Sequence, residues 1–267
     1  MGFRRQEAFK LLPGVRVTVG DPSSGADRRL WLRAAVPGRE VDRRTVLPGP
    51  TAPRWERRLH RSLMAGDVDG MRAAAPRRGP LTAALAGLVA ATVGAYRADR
   101  VRDLLDEAWR SEDLLEDQPF VRRYLAHATV SVPVAGDVSA LFPVCRDVVG
   151  LWLVALARST GRLDEAVEVA EELDPSVLAA MVLADCYALA ARHDDVVAVT
   201  SGISNSDDAT ALLLVQRGLA LRALGQSAAA DEVFDEAVRP VVRSPAVRSY
   251  ALAEWERGRE PDGDGTG

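Results

Sequence analysis

The sequence predicts a mainly α-helical protein, an α-solenoid of helical hairpins with a small β-rich unit at its N-terminus. Three observations predict this fold class. From residue 54 onward, apolar residues recur with the spacing of one helix face. Hydrophobic residues make up 48% of the 267 residues and aromatic residues only 5%, so the core must be built from Ala, Leu and Val, which suits closely packed helices. The first fifty residues instead alternate apolar and polar residues, as half-buried strands do.

Short antiparallel strands are expected in the N-terminal unit. Residues 15–19 alternate valine with Arg16 and Thr18, and residues 30–34 alternate in the same way after a turn-forming stretch. Such a small unit has no cysteine to stabilise it, so we expect it to pack on the acidic helical part or on another copy of the chain.

The opening of the chain resembles a small bacterial β-domain family of unknown function that is found at protein N-termini. The residues that carry the resemblance are Met1, Gly2, Phe3, Arg4, Phe9, Lys10 and the Pro-Gly-Val-Arg-Val stretch at 13–17. The resemblance implies a β-fold and brings no known activity.

Composition divides the chain into three parts. The Pro- and Gly-rich residues 47–53 break the strand pattern, so the boundary is placed there. The predicted organisation is a β-rich domain at 1–50, a helical repeat domain at 54–258 and a disordered tail at 259–267.

The helical part is expected to contain at least nine helices and almost no strand. Residues 81–96 carry no charge, but this run is shorter than the roughly 20 residues that span a bilayer, so it predicts a buried helix. Residues 130–135 include Pro133 and are expected to form an extended connector. Asp207 and Asp208 are expected to open a helix, because negative charge complements the helix dipole there.

Residues 212–237 contain the clearest repeat pattern. Small and apolar residues mark one face of each of two helices, with Leu214, Gly218 and Leu221 on the first and Ala230, Phe234 and Ala237 on the second. We expect Gly218 and Ala230 where the two helix axes come closest, with Phe234 beside them. The pattern recurs about 34 residues earlier at 183–187 and again within 153–173; the middle copy lacks a turn glycine.

This pattern resembles the tetratricopeptide repeat, whose period is about 34 residues. The resemblance covers roughly residues 148–239 and implies a scaffold that binds other proteins through stacked hairpins. The first helix of each hairpin then lines a concave groove. Helix positions that packing leaves free are the candidate partner-binding residues: Arg158, Leu178, Met181, Asp185, Leu189, Leu212, Val215, Leu219 and Arg222.

The predicted groove is apolar with three charged residues, Arg158, Asp185 and Arg222. Such a surface suits an amphipathic helix or an extended peptide with one acidic and one basic anchor. The alternative is that the groove is filled by the protein's own N-terminal helices or by its tail.

Nothing in the sequence indicates catalysis. His60, His127 and His193 are scattered without carboxylates or cysteines at ligand spacing, and there is no zinc-hydrolase, phosphate-binding or nucleophile-elbow motif. Cys145 and Cys186 are expected to be buried free thiols. The sequence therefore predicts a protein that is not an enzyme and that binds no cofactor and no metal.

Charge is unevenly distributed. Residues 1–62 carry fourteen Arg or Lys and six Asp or Glu, a net charge of +8, while the remaining 205 residues carry a net charge of −12. This asymmetry supports an alternative function, in which the basic N-terminal region binds nucleic acid or an anionic membrane surface. A protein or peptide remains the favoured partner, because acidic residues interrupt the arginines. The use of arginine in place of lysine, except at Lys10, suggests a bacterial source, and the absence of a secretory signal predicts a cytoplasmic location.

Overall fold

The computed structural model describes most of the helical part and two short N-terminal segments. The described residues are 16–19, 33–34, 47–94, 96–111, 113–135, 138–239, 242 and 244–257. The residues that open the N-terminal resemblance, 1–15, and the predicted tail, 259–267, lie outside these ranges.

Within these ranges the chain forms eleven α-helices and four strands. The helices are α1 (Arg54–Ala65), α2 (Val68–Ala74), α3 (Gly79–Val93), α4 (Ala98–Trp109), α5 (Arg146–Ser159), α6 (Leu163–Glu171), α7 (Val177–Leu189), α8 (His193–Val199), α9 (Asp208–Ala223), α10 (Ser227–Ala237) and α11 (Pro245–Arg257). The strands are β1 (Arg16–Val19), β2 (Arg33–Ala34), β3 (Ala128–Ala135) and β4 (Val138–Pro143). Short 3₁₀ turns lie at Pro76–Arg78 and Leu115–Asp117, and a π-helical turn lies at Val121–Leu125.

The helices stack as successive antiparallel pairs. Helix α1 packs on α2, α3 on α4, α5 on α6, α7 on α8, and α9 on α10. Neighbouring pairs are joined by contacts between α7 and α9 and between α9 and α11. The protein is therefore a mainly α, tetratricopeptide-like solenoid, and the predicted fold class is confirmed.

Two helix starts show how the local sequence specifies the repeat. The Ser176 side chain accepts a hydrogen bond from the backbone N–H of Ala179 at 3.0 Å, which caps α7. At α9, the Asp207 carboxylate accepts from the N–H of Thr210 at 2.8 Å, and the Thr210 hydroxyl accepts from the N–H of Asp207 at 3.0 Å. This reciprocal capping box satisfies two backbone donors that a helix start leaves unpaired, and it confirms the predicted start at Asp207.

The turns inside the three repeats share one backbone conformation. Gly161, Ala191 and Gly225 all have a positive φ, of 73°, 56° and 75° respectively. After each of them the next backbone N–H donates back five residues, to the carbonyl of Ala157, Tyr187 or Leu221, at 2.8 to 2.9 Å. The middle repeat therefore makes the same turn without glycine, and Ala191 occupies a conformation that favours glycine.

Glycine also sets how closely neighbouring helices approach each other. A Cβ atom added to Gly218 of α9 would lie 2.7 Å from the Phe234 ring of α10. At Gly150 of α5, an added Cβ would lie 2.7 Å from the Trp109 ring of α4. Phe234 is fully buried, so the predicted close approach at Gly218 is confirmed.

Residues 130–135, which were expected to form an extended connector, lie in a strand of a β-sheet. Strands β3 and β4 pair antiparallel as a β-hairpin, with Val130, Val132 and Val134 buried and Pro133 facing the opposite side. Strand β1 pairs antiparallel with β4 and β2 with β3, so the strand order is β1-β4-β3-β2. The expectation of almost no strand after residue 54 was wrong. Burial of the alternating valines stabilises β3 as a strand, although the strand contains Pro133.

The two described N-terminal segments, β1 and β2, pair with β4 and β3, and the packing of the whole N-terminal unit on the acidic helical part stays a prediction. Strand β3 contacts α5 and α7, the first helices of two repeats. The Tyr124 hydroxyl, in the π-helical turn, donates to Glu56 of α1 at 2.7 Å. The segment between α4 and α5 therefore reaches from α1 to α7. The predicted domain boundary after residue 50 stays a prediction.

We expect Ala191→Gly to raise the free energy of unfolding by about 0.5 to 1 kcal/mol, because glycine relieves the strain of the positive φ at some cost in chain entropy. Gly161→Ala and Gly225→Ala should lower it by a similar amount, since an added Cβ meets no atom within 4 Å at either site and only the backbone strain acts. Urea denaturation measures all three. Destabilisation by Ala191→Gly would contradict the shared turn.

We expect Gly218→Leu to lower the free energy of unfolding by roughly 1 to 3 kcal/mol, because the side chain would overpack the contact with Phe234. Ala228→Leu, on the exposed side of the same hairpin, is the matched control and should change stability by less than about 0.5 kcal/mol. Thermal unfolding of both variants tests this. Equal melting temperatures would show that the two helices have room to separate.

Candidate functional site

Four of the nine predicted groove residues belong to the core. Leu178, Met181, Leu212 and Val215 are 3%, 0%, 2% and 0% exposed. In this fold they do not form a partner surface, so the prediction is wrong for these positions. Their burial follows from the packing of α7 and α9 on each other and on neighbouring elements, which include β3 for α7 and α11 for α9.

The chain fills part of its own groove. Val130, Val132 and Val134 of β3 join the same hydrophobic core as Leu178 and Met181. The predicted alternative named the N-terminal helices or the tail as the occupant; the segment that lies there is the β3–β4 hairpin. Binding of a partner along the inner face of α5 and α7 would require this well-packed hairpin to leave.

Arg158 and Asp185 pair with each other at the edge of the hairpin. An Arg158 guanidinium nitrogen lies 2.5 Å from an Asp185 carboxylate oxygen, and the two side chains are only 12% and 17% exposed. Arg158 also donates to the backbone carbonyl of Val134 at 2.9 Å, close to the end of β3. The pair therefore ties α5, α7 and the hairpin together, and the expectation that Asp185 lies on an exposed face was wrong.

Arg222 is also held by the protein itself. Its guanidinium donates to the carbonyls of Glu254 and Trp255, each at 2.7 Å, in the last turn of α11. The same group lies 4.3 Å from the centre of the Phe234 ring. A cation at a helix C-terminus satisfies carbonyl groups that lack helical partners. Arg222 therefore anchors α11, and its predicted place on an exposed face was wrong.

Leu189 and Leu219 remain on the surface. Leu189 is 55% exposed and Leu219 is 36% exposed, and each lies on the first helix of its repeat. Gln216 and Ala223 share a face of α9 with Leu219, at a spacing of i−3 and i+4. We call Leu189, Gln216, Leu219 and Ala223 the open face.

Residues of α7 and α9 that lie at the same distance from the turns that follow these helices occupy equivalent positions. Leu189 stands two residues before the turn residue Ala191, and Ala223 stands two residues before Gly225. The Gln216 side chain donates to the Met181 carbonyl of α7 at 3.1 Å, so α7 and α9 lie side by side here. The amide oxygen of Gln216 is buried and accepts no hydrogen bond among the described residues. The open face thus combines two exposed leucines with an unpaired acceptor.

The sequence pattern did not predict Gln216 and Ala223, because it assigned the groove to a neighbouring stripe of residues on α9. It placed the groove along Val215, Leu219 and Arg222, and the structure places α11 over the first and last of these. A signal for the correct face was present, since residues 216, 219 and 223 have the i, i+3, i+7 spacing of one stripe.

The described residues offer no activated nucleophile. Burial raises the pKa of the Cys145 and Cys186 thiols to about 12, so both stay protonated near neutral pH. Burial lowers the pKa of His60, whose ring packs edge-on against Tyr124 with ring centres 5.8 Å apart. Burial, together with a hydrogen bond to Glu171, raises the pKa of Tyr187 to about 12. In the part of the chain that the structure describes, no three His, Cys, Asp or Glu side chains converge as a metal site would require.

The described helices are also too short or too polar to cross a bilayer. The uncharged run at 81–96 forms most of α3, which is buried against α4 and α2. The interpretation of this run as a buried helix is confirmed.

Comparison with known proteins supports the fold. No family model matches the sequence, and no curated protein matches it. The structure is similar to the crystal structure of the N-terminal domain of the EccA1 ATPase from the ESX-1 secretion system of Mycobacterium tuberculosis, with a TM-score of 0.57 and 17% sequence identity over 77% of this chain and 78% of that chain. Similarity at this identity shows a shared helical fold. The N-terminal resemblance to a β-domain family stays a prediction.

We expect Arg158→Met to lower the free energy of unfolding by about 3 kcal/mol, because Asp185 would keep a largely buried charge without its arginine. The double variant Arg158→Met with Asp185→Leu should lose less than the sum of the two single changes, since it removes both charges. Chemical denaturation of the three variants measures this. Strict additivity would contradict a direct interaction.

Proposed function

We propose that this protein is a non-enzymatic interaction scaffold that binds a helix or peptide of a partner protein at the open face. One observation carries the proposal: Leu189 and Leu219 stay exposed on adjacent repeats, while the rest of the groove that we located is covered by the protein itself. Exposed apolar residues grouped on one face are typical of interaction sites.

The chemistry of the open face favours an amphipathic partner. Arg158 and Asp185 neutralise each other, so a partner needs no pair of charged anchors there. An apolar residue on the partner can pack against Leu189 and Leu219, the two exposed leucines of the open face. This is the helix-in-groove mode of recognition, in which a few apolar anchors supply the contact.

The similar EccA1 domain belongs, by its name, to an ATPase of a secretion system. By analogy of fold, we infer that the present chain serves as a partner-binding part of a bacterial protein assembly. We place it in the cytoplasm, where its free thiols Cys145 and Cys186 stay reduced. We further propose that it performs no chemistry of its own and needs no cofactor.

We expect Leu189→Asp with Leu219→Asp to reduce capture of the partner at least tenfold, since each change places a charge where an apolar side chain docks. Stability should change little, because both side chains are already exposed. The measurement is affinity capture from native cytosol, read by quantitative mass spectrometry against the unchanged protein.

Leu114→Asp with Val93→Asp is the matched control, since these side chains are each 44% exposed elsewhere on the surface. This control should leave capture unchanged. Capture that survives the open-face changes but falls steeply as salt is raised would instead favour the alternative, in which the basic N-terminal region binds nucleic acid or an anionic membrane.

A further inference from the structure

We propose that copies of this chain associate head to tail, with the arginine-rich outer face of α1 docking on the acidic α10–α11 end of a second copy. Both surfaces are uncovered ends of the described solenoid. Each interior first helix lies between its own second helix and the next repeat, whereas the structure describes no helix before α1 and none after α11. The ends therefore present helix faces of the kind that neighbouring repeats cover elsewhere.

The basic end is a stripe on α1. Arg54, Arg57, Arg58 and Arg61 stand at i, i+3, i+4 and i+7 and are all exposed, so about 10 Å of helix presents four guanidinium groups on one side. Among the described residues, none of the four has a carboxylate partner. Met64 continues the stripe and is 57% exposed. We call these five residues the basic stripe.

The acidic end is a shallow cleft between α10 and α11. Its lining residues are Asp231, Glu232, Asp235, Glu236, Arg239 and Trp255. Three of the carboxylates have contacts within the chain: Asp231 accepts from the Trp255 indole at 2.8 Å, Glu236 accepts from the backbone of Asn205 at 3.0 Å, and Asp235 lies 3.8 Å from Arg239.

Two acidic residues at this end are more available. Glu232 is exposed on α10 and Glu256 is exposed on α11, and neither has an ion-pair partner among the described residues. Leu252, 36% exposed, adds an apolar residue to the same helix. We call the cleft together with Glu256 and Leu252 the acidic end.

The two surfaces are chemically complementary. Carboxylates bind guanidinium groups through charge-assisted hydrogen bonds, and an indole ring attracts a guanidinium over its face. Residues 54–78 carry seven Arg and three Asp or Glu, a net charge of +4, while residues 227–257 carry four Arg and six Asp or Glu, a net charge of −2. Each surface also offers one large apolar side chain, Met64 or Leu252.

Charge also selects the arrangement. Two copies joined symmetrically through α1 would bring eight arginines together, and like charges at an interface repel. The contact is therefore heterologous, and such contacts produce open chains or a closed ring, depending on the rotation between copies. A nucleic acid is a poorer fit to this stripe, because Met64 has no polar partner on a phosphate backbone and the chain as a whole carries a net charge of −4.

The test is sedimentation velocity over a range of protein concentrations, in about 50 mM and about 500 mM NaCl. We expect concentration-dependent association in low salt, weakened at least about tenfold in high salt, because exposed charges are screened over a few ångströms there. Arg57→Glu with Arg61→Glu should abolish association, and Glu232→Arg with Glu256→Arg should do the same. These four residues make no contact that the fold needs, unlike Arg58, which donates to carbonyls of α2.

Mixing the two charge-reversed variants is the decisive experiment. Neither should associate alone, but an equal mixture should associate, because each reversed surface meets an opposite charge and each unchanged surface does too. Arg97→Glu with Arg110→Glu changes the net charge as much as the stripe variant does, on side chains 88% and 77% exposed, and should leave association intact.

Three outcomes would overturn the proposal: a monomer at all concentrations in low salt, association that either reversed pair leaves unchanged, or failure of the mixture to associate. A fourth concerns nucleic acid. Binding of a DNA oligonucleotide that Arg57→Glu with Arg61→Glu removes, in a protein that stays monomeric, would assign the stripe to nucleic acid instead.

Discussion

Close approach of paired helices is the constraint on which the rest of the structure depends. Where α9 meets α10, the Phe234 ring occupies the space that a side chain on residue 218 would need. Gly150 allows the same proximity between α5 and Trp109 of α4. Because these contacts fix the distance and angle between helices, they also fix which residues of each first helix face inward. The position of the groove follows from this packing.

Part of the inner face of the first helices is covered by the protein's own sheet. The β3–β4 hairpin covers the inner face of α5 and α7, and Arg158 holds its end through Val134 while pairing with Asp185. A charged pair that is nearly buried adds little net stability, but loss of either partner would leave the other charge uncompensated. What stays open lies beyond the hairpin, around Leu189 and Leu219. The protein's own sheet thus covers part of the surface that the first helices would otherwise expose.

Arg222 and Arg158 occupy equivalent positions in their repeats but bind different groups. Like Arg158, Arg222 lies near the end of a first helix and reaches the next one, but there it binds backbone carbonyls of α11, and its carboxylate partner is Asp231 of α10, 3.6 Å away. Both arginines stabilise contacts between successive repeats. On α1, Arg58 likewise reaches carbonyls of α2, whereas Arg54, Arg57 and Arg61 are exposed.

The sequence by itself determined the elements that depend on local spacing. The α9–α10 hairpin, the capping box at Asp207 and the close contact at Gly218 could be predicted, because helix periodicity and caps are properties of neighbouring residues. Tertiary structure alone decided what covers each helix face. Leu178 and Leu189 look alike in sequence, yet one is buried and the other is exposed. Helix α7 contacts β3, α6, α8 and α9, elements distant or adjacent in the chain, and which of its residues these neighbours cover is a property of tertiary packing.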